Sequence, residues 1–287
     1  MLIMIAQEAG GTLVEDMRNG EGEHVQVQAE LLDALIRLHA RGCRFASEVI
    51  CLMKGGFADG ANARWRSLHE LAVTAIFLQE HPESAERYLD HAVVERLRDA
   101  EEYQRHCKVL GFEPFTDEEI EELKQESAVV VTKYGKEFRK RYGWAAKALN
   151  NPDPNFSQIE ESLQMEKWRP FYKLACQSVH AGSQGLVFSL ATPRSADLPL
   201  IVGASNAGLC DPGQQTAISL TLATVTLLTS VPNLDRLVTC RCMDLLSEDI
   251  KASLFEAHDS LEQEVQRRSE EANDSPEAVG RESEGSV

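Results

Sequence analysis

Two short stretches hold the residues whose types and spacing could do chemistry. In "ANARWRSLHELAVTAIFLQE", residues 61–80, Arg66 and Glu70 stand four apart and share a helical face with Asn62, Val73 and Phe77. On an exposed face such a pair is a weak surface contact. Because Val73 and Phe77 continue the face, the pair can instead be partly buried. A guanidinium held by a carboxylate then becomes a good binder of phosphate or carboxylate groups. In "YKLACQSVHAGSQG", residues 172–185, Tyr172, Cys176, His180 and Gln184 fall at four-residue steps along one stripe. His180 lies in an uncharged, small-residue run, two helical turns beyond Lys173. It reads either as a core histidine bonded through one ring nitrogen or as a general acid–base. In the second role it would act on a phosphodiester or acyl group held by Arg66. The two stretches form one site only if their helices pack together.

The elements that must position them are helices. Apolar spacing marks a long helix over 24–53, broken by Gly55, Gly56 and Gly60, and a second over 61–80 stopped at His81-Pro82. A third covers 83–109. Thr116 to Glu119 is a capping box that opens a helix running to about 141. "NNPDPN" (150–155) is a loop, and Ser157 to Glu160 reads as a second capping box. The helix with His180 is expected over 167–191. Residues 192–212 form a loop or a small hairpin. Asp211-Pro212 opens a helix to 230, and a last helix covers 233–268.

Composition supports this reading. Among 287 residues, aromatics are only 6% and glycines number 18, which suits helices better than strands. No repeat or composition shift marks an internal boundary. The expectation is an all-α protein: a single helical bundle domain of about six to eight helices over 23–268, after a flexible N-terminus at 1–22. A disordered acidic tail at 269–287 follows, with six acidic residues and one basic residue within 270–287. The formal charge is −17, so broad binding to a phosphate backbone is disfavoured, although a small basic pocket is compatible with it. Seven scattered cysteines suit a reducing cytoplasm rather than a disulfide framework. The uncharged run 212–234 carries five threonines and its apolar centre is too short to span, so no membrane segment is expected. Neither a metal site nor a cofactor is expected, since phosphate-loop, nucleophile-elbow and Cys-x2-Cys motifs are missing.

"GFADGANARWRSLHELAVTAIFLQEH" followed about a hundred residues on by "YKLACQSVHAGSQG" resembles the bacterial domain-of-unknown-function 5677 family. Its pattern, an Arg-Ser-Leu-x-Glu helix and then a Tyr-x3-Ser-x2-His helix, is matched by Arg66, Ser67, Leu68 and Glu70, and by His180 with Tyr172 and Ser178 nearby. The spacing departs from that pattern: Tyr172 stands six residues before Ser178 rather than four, and His180 stands two after it rather than three. The likeness covers about 30–230 and implies a helical fold. A more distant similarity is to HEPN helical ribonucleases of toxin and phage-defence systems, which use Arg-x4–6-His without metal across a dimer. Arg64 to His69 has that spacing, and Lys173 to His180 has it with lysine in place of arginine.

That likeness implies metal-independent RNA cleavage by a homodimer. Arg66 would hold the scissile phosphate, Glu70 would orient it and His180 would move the proton, with Tyr172, Lys173 and Ser178 at the substrate. The alternative is a non-enzymatic interaction or sensor module working with a partner protein. In it the Arg-Glu-His group is a buried polar network or a pocket for a small anion.

Overall fold

The computed structural model describes residues 1–19, 28–180, 182–192 and 201–273. Among them the chain is all-helical, with ten α-helices and no strand. The first five are α1 (Leu2–Arg18), α2 (Ala29–Lys54), α3 (Ala58–Glu80), α4 (Ala85–Leu110) and α5 (Asp117–Tyr134). Then come α6 (Phe156–Ser162), α7 (Arg169–Gln177), α8 (Ser183–Val187), α9 (Cys210–Ser230) and α10 (Leu234–Asn273). The bundle therefore has more helices than the six to eight expected. Of the acidic tail, residues 269–273 belong to α10 and 274–287 lie outside the described residues.

α2 and α3 form a hairpin around a Gly55-Gly56 turn. Gly56 has φ +77°, and its carbonyl accepts the Ser205 N–H at 2.9 Å. A side chain there would strike the Ser205 backbone, so the turn needs glycine on both counts. α9 lies against both arms of the hairpin, α10 covers α9, and α1 closes over α2, α9 and α10. The α4–α5 hairpin joins the α2 side, whereas α6 and α7 flank α3.

α9 explains the uncharged run. Leu220, Thr224, Leu227 and Leu228 are buried, and Thr224, Thr226 and Thr229 return their hydroxyls to the carbonyls four residues back. The helix is thus buried in protein with these three hydroxyls bonded to its own backbone, whereas Gln215 Oε1 and the Thr216 and Thr221 hydroxyls are buried without a hydrogen-bond partner among the described residues. Among the described residues no helix is long and apolar enough to cross a membrane.

Two expectations need correction here. Most of the N-terminus expected to be flexible, 1–22, is helix α1, whose Leu2, Ala6, Gly10 and Leu13 recur at helical spacing and are buried. The helix opened by Thr116 keeps its capping box but stops at Tyr134. There Gly135 turns the chain at φ +95°, and a short 3-10 turn follows at Lys136–Arg139.

Candidate functional site

The α3–α7 contact brings part of the expected site together. Trp65 and Ala61 of α3, Ala175 of α7 and Val49 of α2 form a small apolar cluster that seats the two helices. Beside it Arg66 Nη2 lies 2.9 Å from Glu70 Oε1, and the Tyr172 hydroxyl donates to the same oxygen at 2.5 Å. The Arg66 guanidinium is 5.1 Å from the Tyr172 ring centroid. Arg66 and Glu70 keep only 20% and 30% of their side-chain surface, so the pair is partly buried. Burial opposes the Arg66 charge, yet Tyr172 and Glu70 outweigh it and raise its pKa. Burial and the neighbouring Glu70 push the Tyr172 phenol well above its ordinary range, so it acts as a donor.

A second layer lies behind the first. His69 Nε2 is 2.8 Å from Glu160 Oε1, and Arg169 pairs with Glu160 Oε2. Glu160 is fully buried and His69 nearly so. The Arg169 guanidinium is 5.3 Å from the Tyr172 ring, so both layers meet at that tyrosine. The capping box of α6 sets this up two residues earlier than expected. Asn155 caps, Gln158 closes the box, and Ser157 sits inside the helix. Glu160, expected as a cap partner, is therefore turned inward toward His69.

His180 is elsewhere. The helix expected over 167–191 is interrupted: a 3-10 turn at Glu166–Trp168 precedes α7, α7 ends at Gln177, and α8 begins at Ser183. The stripe through Tyr172 and Cys176 stops before it reaches His180, which is exposed in a bend. No hydrogen bond, ion pair or ring contact joins His180 to Arg66 or Glu70. It lines a separate cavity of about 400 Å³ with Asp59, Ser178 and Ser189. Asp59 there accepts the Ser189 hydroxyl at 2.5 Å. Lys173 is exposed on α7. Of the six expected site residues, Arg66, Glu70 and Tyr172 meet, whereas His180 and Ser178 share another cavity.

The formal Arg64–His69 motif also separates. Arg64 turns to Glu48 and lies 3.7 Å from the Phe45 ring centroid, whereas His69 faces Glu160 on another side of α3. Glu160 and Arg169 were not expected at the site, whereas Cys176, already on the Tyr172 stripe, joins it. Cys176 lies close enough to feel Arg66 and Glu70, and burial raises its thiol pKa. Its place four residues after Tyr172 was the available signal.

Fold and network together define an all-helical protein with a two-layer polar cluster between α3 and α7. A family model, the Family of unknown function (DUF5677), matches residues 32–195, and the chain belongs to that family. No curated protein and no solved structure matches it.

Proposed function

We propose that the chain is a non-enzymatic helical module in which Arg66, Glu70 and Tyr172, backed by His69, Glu160 and Arg169, hold α7 in register on α3. The observation that carries this reading is the destination of the histidines. His69, the histidine inside the cluster, is buried against Glu160, while His180 faces a different cavity. A general acid–base must reach its proton, and neither histidine does so from the Arg66 side. Arg66 pairs with Glu70 and Arg169 with Glu160, as a register-fixing network needs, while Arg66 Nε is buried without a hydrogen-bond partner among the described residues.

Metal-independent RNA cleavage in a toxin or phage-defence setting is the second reading, favoured by one observation. His180, Asp59 and Ser178 line one cavity open to solvent. The discriminating experiment incubates wild type and His180→Ala with mixed single-stranded RNA in chelator and compares their melting temperatures. The first reading expects no cleavage by either protein and matched melting. Cleavage by wild type that His180→Ala abolishes, at unchanged melting, overturns it in favour of the second.

A further inference from the structure

A polar cleft lies between α2, α3, α4 and the segment 141–144, and measures about 680 Å³. That is within the range of small-molecule sites. Four arginines line it, and they differ in their commitments. Arg37 is bound to Asp33 at 2.8 Å and Arg64 is paired with Glu48. Arg41 on α2 and Arg141 beyond α5 make no ion pair or hydrogen bond to any described residue. Each lies near an aromatic ring of the cleft, Arg41 at 5.2 Å from Phe45 and Arg141 at 5.6 Å from Tyr142.

Other donors and acceptors converge on the same space. The hydroxyls of Ser67, Tyr88 and Tyr142 have no hydrogen-bond partner among the described residues. Glu70 also lines the cleft; its Oε1 serves both Arg66 and Tyr172, and its Oε2 makes no hydrogen bond to any described residue. Tyr88 packs edge-on against Trp144 at 5.0 Å and makes a rigid aromatic side. Arg41 sits close enough to Tyr88 to ease its phenol's ionisation against the effect of burial.

Two unmatched guanidinia are conspicuous on a chain of charge −17. Their planar forks fit phosphate oxygens, a free carboxylate oxygen accepts from a sugar hydroxyl, and aromatic sides accommodate a flat ring. We propose that this cleft binds a small phosphorylated molecule carrying a hydroxylated sugar and a planar base, that is, a ligand of the nucleotide class. Arg41 and Arg141 take the phosphates, and the Glu70 Oε2 atom takes a sugar hydroxyl. The site is separate from the His180 cavity and shares Glu70 with the network between α3 and α7.

Titration calorimetry on the full chain with ATP, GTP and inorganic phosphate tests this. At least one nucleotide is expected to saturate the protein, with inorganic phosphate at least about tenfold weaker. Arg41→Ala and Arg141→Ala should each weaken the nucleotide about tenfold at unchanged melting temperature, because both side chains are exposed. Lys108→Ala, in the last turn of α4, serves as the control and should leave affinity as it is. Failure of both nucleotides to bind at millimolar concentration overturns the proposal. So does equal affinity for phosphate, or nucleotide binding that the two arginine variants leave intact.

Discussion

Glu160 takes two partners, the Arg169 guanidinium and the His69 imidazole, into a site with no exposure of its own. Removing its charge leaves Arg169 without its counter-charge, so Glu160→Gln should cost about 3–5 kcal/mol in denaturant unfolding. Tyr172→Phe, which takes one donor from a partly exposed Glu70, should cost about 1–3 kcal/mol. Equal costs for the two would mean that the buried layer carries no special weight. His39 of α2 gives a pH dependence. Burial holds its imidazole at about 4, and its Nε2 faces Thr224 Oγ1 at 3.1 Å. The folded chain keeps it neutral, whereas the unfolded chain takes up a proton below its ordinary value of about 6.5. Its contribution is therefore intact above pH ~6.5 and is lost as pH falls toward 4, by roughly 3 kcal/mol in all. Burial lowers the His91 pKa as well and adds to the same trend. Urea titrations at pH 7.5, 5.5 and 4.5 should show this slope, and His39→Gln should flatten it; an unchanged slope would remove His39 as its source.

Helix contacts turn on a few small residues. Gly10 of α1 faces the His39 ring, and a Cβ at that position would lie 2.6 Å from Cε1. The imidazole is fixed by Thr224 and packed beside Cys43, so it has little room to yield. Gly10→Ala is expected to destabilise by about 1–3 kcal/mol through overpacking, despite alanine's better helix propensity. Gly11→Ala meets open space and should be neutral or slightly stabilising, which makes the pair an internal control. Element types were largely legible in the sequence, because α2 carries a long periodic stripe, Pro82 and Gly111 mark the ends of α3 and α4, and Thr116 with Glu119 forms a local signal. The break in the 167–191 helix was not. Its small residues are compatible with helix locally, and the stop accompanies the turn of residues 182–192 back over Asp59, to which Leu190 N–H donates at 3.0 Å. Half of the site was legible for the same reason. Arg66 and Glu70 lie on one uninterrupted helix, whereas pairing His180 with them required a continuous α7.

At the scale of the whole chain, the homodimer implied by the likeness to HEPN ribonucleases has a surface to test, since α10 leaves Leu234, Val238 and Leu245 exposed along its length. Light scattering should report twice the monomer mass, falling to one on Leu245→Lys with Val238→Lys; a monomeric wild type would remove the dimer. The uncharged helix α9 has a consequence for how the protein comes to exist. Its Leu220 completes a cluster with Phe45 and Ala46, and its Leu227 and Leu228 close the one around Leu35 and Phe77. These partners leave the ribosome some 150 residues before α9 does. The segment that defines the family, 32–195, ends before α9 begins. A nascent chain stalled after residue 195 would carry an open apolar seam along α2 and α3, a target for chaperones and proteases. Expressed alone, the 32–195 fragment should bind a hydrophobic dye and melt without a cooperative transition, while the full chain melts sharply.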